Sequence, residues 1–296
     1  MSLVYGKDDV LFGCIEEQQG TRPWGNVLDA GTGLHSLRWL ATLDSAKHLW
    51  AVTADATMEK KVQKEVNALG IAPKTTVVRG NWFPEDENNE NDLLSLLQQQ
   101  PHNLQFDVIL ADYLIGAMDG FSPYTQDQII PKLTSLLAPH GRLYIVGLQP
   151  IPDAVDGDGN IVAKVRRVRD ACILLAGHRC YREYPQSWVE RQVQQSSSQL
   201  LQLVHSQSFA ILYRHETIVQ QIQVGRSKLP YFATDALRTS MKEVLDGLEQ
   251  ESLEATRRNG GRIQVGFDYV VVAEKVGAVT EGERGEDPAR GTEEDL

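Results

Sequence analysis

The chain has 296 residues, 42% hydrophobic and 23% charged, which suits one large α/β domain with insertions and excludes a low-complexity or membrane-embedded composition. Its formal net charge is −11; residues 277–296 hold seven acids and two arginines, so this tail supplies −5 and the body about −6. An acidic body is not drawn to a phosphate backbone, which argues against nucleic acid as a partner, and no apolar run reaches membrane-helix length.

Residues 1–24 precede the first strand, and the apolar run Val10–Ile15 predicts a short helix over the ligand site formed by the following loop. Strands are expected at about 26–30, 48–54, 74–79, 106–111 and 141–147, with helices between them at about 34–44, 57–69, 91–100 and 125–138. This alternation implies a parallel sheet with right-handed crossovers. The acidic, asparagine-rich stretch 84–92 reads as a solvated loop.

After the fifth strand the pattern changes. Residues 149–159 are rich in turn formers. Acids at 153, 156 and 158 lack the alternation and terminal glutamate of a calcium loop, so no metal is expected there. Ile161, Val165, Val168, Cys172 and Leu175 share one face of a helix over 161–176, whose other face carries Lys164, Arg166, Arg167 and Arg169. That cationic face is either solvated or turned to an anionic substrate. Residues 186–205 read as helical, 209–213 as a strand running on with interruptions to 224, 230–258 as a long helix and 263–273 as a last strand. The expected organisation is an N-terminal segment 1–24, a domain over 25–275 with cap elements at 151–205 and 225–262, and an acidic disordered tail 276–296. Cys14, Cys172 and Cys180 show no C-x-x-C spacing and are odd in number, and the N-terminus lacks a targeting pattern. A reducing, cytoplasmic setting is the expectation.

The chemistry concentrates in Val27-Leu28-Asp29-Ala30-Gly31-Thr32-Gly33-Leu34, a buried strand, a glycine turn and a helix start. Asp55 closes the next apolar run. This is how an open α/β sheet grips an adenosine-containing cofactor, with backbone close to the ligand and an acid on the ribose hydroxyls. A dinucleotide fingerprint wants a third glycine where this chain has Ser36, which counts against NAD or FAD. Asp55 can equally cap the following helix.

The form Asp-Ala-Gly-Thr-Gly resembles the first motif of the class I S-adenosylmethionine-dependent methyltransferases, and the similarity extends over residues 25–150. Thr75–Trp82 resembles the third strand and its exit turn, Phe106–Tyr113 the fourth strand, and Leu136–Gly147 the fifth strand with the helix end before it. The resemblance implies a Rossmann-like, doubly wound, mostly parallel seven-stranded sheet with an antiparallel last strand and a helical cap. It implies S-adenosylmethionine as cofactor, a small-molecule acceptor and a monomer or homodimer. Asp29, Gly31, Thr32 and Gly33 would then wrap the methionine part, Asp55 the ribose, and Asn81 the adenine amine, with Trp82 either stacking on the ring or packing in the core and Asp112 also contacting the cofactor. The chain departs from the minimal pattern by about 38 residues between the last two strand candidates.

For catalysis, Asp112 and Tyr113 end the fourth strand, where ligands of such sheets sit. Asp112 can orient an amine or take a proton from a hydroxyl, and Tyr113 or Tyr124 can hold a substrate by ring or hydroxyl. Asp119 lies in the same loop, and His178 and His205 are candidate bases in the cap. The chain lacks the Asn/Asp-Pro-Pro-Tyr motif of amino methyltransferases acting on nucleobases or glutamine. The alternatives are an aminopropyltransferase, for which Asp112 and Asp119 would help form an acidic groove, and a non-catalytic protein that keeps the fold.

Overall fold

The computed structural model describes residues 9–84, 93–98, 105–195 and 201–277. Residues 1–8 of the N-terminal segment, nearly all of the expected loop 84–92, the ends of the helix expected at 91–100, and the tail from 278 lie outside the described residues.

Seven strands form one sheet in the order β3-β2-β1-β4-β5-β7-β6. They are β1 (Gly25–Asp29), β2 (Ala46–Thr53), β3 (Thr75–Arg79), β4 (Phe106–Asp112), β5 (Leu137–Leu148), β6 (Leu201–Tyr213) and β7 (Ile263–Lys275). The first five run parallel, and β7 pairs antiparallel with both β5 and β6. Central strands carry apolar side chains on both faces because both are covered. Leu28 and Ile109 point into a core with Ile129 and Leu133, whereas Val27 and Val108 point to the opposite core with Trp39 and Tyr144. Helices α2 (Leu34–Leu40), α3 (Ala56–Ala68), α4 (Leu93–Gln98), the single turn α5 (Leu114–Ala117) and α6 (Gln126–Leu136) complete the crossovers. α2 stops four residues short of its expected end, where the Thr42 hydroxyl donates to the Trp39 carbonyl at 2.7 Å and turns the chain.

The N-terminal helix is α1 (Val10–Gln19), longer than expected. Phe12 stacks on Trp39 of α2 with ring centroids 4.3 Å apart and planes 7° from parallel, and the Tyr144 hydroxyl of β5 donates to Gln19 at 2.6 Å. These contacts fix α1 over one face of the sheet, with its first residues at the carboxyl end of β4.

The C-terminal half departs from the sequence reading in one place. The helix expected over 186–205 ends as α8 (Gln186–Gln195), and 201–213 is strand β6. The run expected to continue as strand to 224 is instead α9 (His215–Arg226). β6 is an edge strand with one neighbour, so its outward residues Gln202, Gln207 and Ser208 resemble the polar face of a helix. Pairing with β7 decides the matter, as tertiary contacts override local pattern. In α9 the buried Ile218, Ile222 and Gly225 fall at helical spacings of four and three. The insertion therefore begins at 214 rather than 225, and His205 belongs to the sheet rather than the cap.

The cap has its own core. α7 (Asn160–Leu175), α9 and α10 (Asp235–Arg258) pack together through Val165, Cys172, Ile218, Ile222, Leu245 and Leu248. All three cysteines are buried and unbridged. Among the described residues no helix is long and apolar enough to cross a membrane.

Candidate active site

The loop after β1 is pinned to both neighbouring strands. Ala30 N donates to Leu110 O at 2.8 Å, and Thr32 N donates to Val52 O at 2.7 Å. The indole of Trp82 reaches back from the β3 exit and donates to Ala30 O at 2.7 Å. Ser36, which stands where a dinucleotide fingerprint has its third glycine, donates to Asp29 Oδ2 at 2.7 Å and accepts from Gly33 N at 3.3 Å. A hydroxyl thus stiffens the turn from within. Asp29 is buried, and its Oδ1 has no hydrogen-bond partner among the described residues. Burial lifts this carboxyl to about 6, against the pull of the Ser36 hydrogen bond.

This loop forms one wall of a cavity of about 440 Å³ at the carboxyl ends of β1, β2 and β3. Gly31, Thr32, Gly33, Asp55, Asn81 and Trp82, six of the expected cofactor residues, all line it. A Cβ placed on Gly33 would meet nothing within 4 Å, so the loop presents bare backbone to open space. Asp55 caps α3 by accepting from Met58 N at 2.6 Å through Oδ1. The cap uses Oδ1 alone, and Oδ2 accepts no hydrogen bond from the described residues, so capping leaves room for the expected ribose contact. Asn81 is already engaged: its amide donates to Phe121 O at 3.0 Å and accepts from Ser122 at 2.6 Å. Trp82 is 4% exposed, so it serves the core and the wall at once.

Asp112 and Tyr113 lie on the other side of the loop. Asp112 lines an acidic recess of about 330 Å³ with Asp9, His35 and Asp268. Burial, and then the charge of Asp29, lift its carboxyl to about 7. Asp9 caps α1 with Oδ1 and holds His35 at 2.7 Å through Oδ2. Tyr113 adopts left-handed backbone at φ 49°, an uncommon state for a non-glycine residue that concentrates at functional sites. Its amide donates to Val146 O at 3.0 Å and its hydroxyl to Asp268 at 2.8 Å.

Tyr113 also lines a third cavity of about 540 Å³ at the carboxyl ends of β4 and β5, beneath α7 and α9. Tyr181 and Ala117 border both this cavity and the glycine-loop cavity, so the two adjoin. His178 lines the larger cavity, but Tyr124 is 85% exposed and lines none of the three, and Asp119 lines none either. Asp112 and Asp119 therefore do not form one acidic groove. Sequence reasoning missed Tyr181 and Arg182. Two arginines, a histidine and two tyrosines within 178–184, a stretch without helix or strand period, were the available signal.

The strand order, with β7 antiparallel between β5 and β6, is that of a Rossmann-like methyltransferase fold. Solved structures agree. A candidate sarcosine dimethylglycine methyltransferase from Galdieria sulphuraria aligns with a TM-score of 0.51 at 14% identity, over 91% of this chain and 85% of that one. The YcgJ protein from Bacillus subtilis aligns with a TM-score of 0.51 at 16% identity, over 90% and 98%. A candidate methyltransferase from Bacillus halodurans gives 0.50 at 15% identity, over 88% and 97%. At such identities the likeness establishes the fold. No family model and no curated protein matches the sequence.

Proposed function

We propose that this protein is an S-adenosylmethionine-dependent methyltransferase acting on a small molecule. The observation that carries the reading is the cavity around Gly33 and Asp55, with bare backbone on one side, a carboxylate oxygen on the other, and a second cavity adjoining it at Tyr181. The donor set fits the cofactor. Asp55 Oδ2 is an acceptor for ribose hydroxyls, and Asn81 and Trp82 wall the side expected to face adenine. Asp112, in the adjoining recess, is a carboxylate in a poorly solvated position, which suits a ligand carrying ammonium and sulfonium charge; Asp29 lines none of the cavities and holds the loop through Ser36.

When bound, S-adenosylmethionine supplies an electrophilic methyl group. The chain's own residues then have to orient the acceptor, exclude water and manage one proton. Tyr113, fixed by Val146 and Asp268, stands between the acidic recess and the larger cavity and orients whatever lies beside it. Burial and the Asp268 charge push its phenol far up, so it acts as a neutral group rather than a base. Asp112, held near 7, can take or hold a proton in the physiological range. The larger cavity is lined by Arg169, Arg179, Arg182 and Lys228, which repel a polyamine and weigh against aminopropyl transfer.

The test is turnover. Purified protein incubated with S-adenosylmethionine and an acceptor panel should release S-adenosylhomocysteine above the acceptor-free rate, and Asp55→Asn should raise the cofactor KM. Release that is equal with and without every acceptor, from a protein that binds no cofactor, would leave the fold without this chemistry.

A further inference from the structure

The larger cavity differs in charge from the body that carries it. The protein outside the acidic tail has a net charge of about −6. The cavity wall, by contrast, presents Arg169, Arg179, Arg182 and Lys228 against a single acid, Glu183. Behind the wall stand Asp170 and Asp119, and Arg166, which pairs with Asp153 at 3.0 Å and with Glu183 at 3.3 Å. Five cations thus meet four acids, a local balance of +1. Asp268, bonded to Tyr113, belongs to the neighbouring recess.

The cations are not equally committed. Arg169 is tied to Asp170 at 2.7 Å and to Gln221 at 2.6 Å. Arg182 reaches Asp170 only at 3.5 Å. Arg179 and Lys228 form no ion pair with any described residue. They sit on two different elements, the connection after α7 and the turn after α9, so two separate segments present positive charge to one space, with Asp119 the acid nearest in effect to Arg179.

The rest of the wall is apolar and aromatic. Ile115, Val146 and Ile173 alternate with the rings of Tyr113, Tyr181 and Tyr184. The floor is rigid: Tyr269 donates to Tyr184 O at 2.9 Å and closes over Gly147, where a Cβ would lie 2.2 Å from its hydroxyl. A cavity of about 540 Å³ is in the range that encloses an organic molecule of several rings. Arg179 and Arg182 are exposed at the rim and Lys228 is half-buried, so their pull on an anion is open to screening by salt.

We propose that this cavity binds a ring-bearing carboxylate, its rings among the tyrosines and its carboxylate on Arg179, Arg182 and Lys228, and that this molecule is the methyl acceptor. Only the word acceptor rests on the methyltransferase reading; the ligand class follows from the wall itself. Guanidinium groups suit a carboxylate because their paired N–H donors match its two oxygens. The arrangement also separates charge, with a cationic ligand favoured in the acidic recess and an anionic one in the larger cavity.

The experiment is a calorimetric titration of the full-length protein, alone and saturated with S-adenosylhomocysteine, with 4-hydroxycinnamate, its carboxamide and tyramine. The carboxylate should bind about tenfold or more tighter than the carboxamide, and tyramine weakest. Raising salt to about 0.5 M should erode that preference. In Arg179→Gln/Lys228→Gln, and separately in Arg182→Gln, the preference should shrink to about threefold or less, while S-adenosylhomocysteine affinity stays within about twofold. Equal or tighter binding of the carboxamide or tyramine, a preference that survives both variants, or no binding of any of the three would overturn the proposal. Selective carboxylate binding by a protein that ignores S-adenosylhomocysteine would instead keep the anion site and refute the methyltransferase reading.

Discussion

Gly33→Ala separates a ligand role for the glycine loop from a folding role. Gly33 sits at φ −103° and ψ 170°, extended backbone that any residue adopts. An added Cβ meets nothing within 4 Å, so the folded protein has room for it. Glycine precedes α2 as its N-cap, where alanine costs up to about 1 kcal/mol, and the smaller entropy of the unfolded alanine chain returns about 0.4–1 kcal/mol. Folding stability should therefore move by less than about 0.5 kcal/mol, read as the urea midpoint. The same methyl group projects into the space where the cofactor is proposed to lie. Crowding a fitted ligand by one methyl costs about 1–3 kcal/mol, so S-adenosylhomocysteine affinity should fall by roughly one to two orders of magnitude. Gly31→Ala is the contrast, because its Cβ would lie 3.0 Å from Leu114 Cδ1 and the protein itself must yield. A Gly33→Ala protein with unchanged stability and unchanged affinity would refute the placement of the cofactor against this loop.

Asp55→Asn keeps an N-cap acceptor for Met58 but removes the charge, so stability should hold while cofactor affinity drops by roughly 1.5–3 kcal/mol; Asp55→Ala should lose about 1 kcal/mol of stability as well, by urea melt. Asp112, raised to about 7, must be ionised to attract a cation, so S-adenosylhomocysteine should bind more weakly as pH falls from 8 to 6, by at most about tenfold per unit; Asp112→Asn should remove that part of the slope. Asp29 has an ordinary carboxyl value of 3.8 when unfolded and about 6 when folded, so its ionisation makes stability fall as pH rises through that window, by about 3 kcal/mol in all; Asp29→Asn, which still accepts from Ser36, should flatten this fall and raise the melting temperature of the ligand-free protein at pH 7.5 while weakening cofactor binding. Gly147→Ala drives a Cβ to 2.2 Å from the Tyr269 hydroxyl and should destabilise by about 1–3 kcal/mol, seen as a lower urea midpoint at unchanged slope.

The first 150 residues were legible because each central strand is buried on both faces and the glycines and acids of the candidate site, Asp29, Gly31, Gly33, Asp55 and Asp112, fall at or just after strand ends. Such runs have one physical explanation, and the expected strands match within about three residues, apart from the four residues by which β5 starts early. Of β6, Phe209–Tyr213 was legible and the first half was not, because an edge strand half open to water carries glutamine and serine where a buried strand carries valine. α9 was misread as strand because Ile218 and Ile222 form a stripe too narrow to show without the partners α7 and α10. Of the site, residues next to the fingerprint were recoverable, since the glycine loop and Asp55 need no long-range information. The cavity under the cap was not, because its wall assembles from α5, β5, α7, α9, β7 and the connection 177–185, distant in sequence and without shared periodicity. Asn81 shows a further limit: its place beside the cavity was foreseeable, its commitment to the 121–122 turn was not.

The central claim is that the cavity at Gly33 and Asp55 holds S-adenosylmethionine. Calorimetric titration with S-adenosylmethionine, S-adenosylhomocysteine, decarboxylated S-adenosylmethionine and NAD, side by side, tests it most directly. The account predicts one-to-one binding of the first two in the micromolar range, weaker binding of the decarboxylated form, and none of NAD. Preference for the decarboxylated form, or no heat from any of the four, would contradict it.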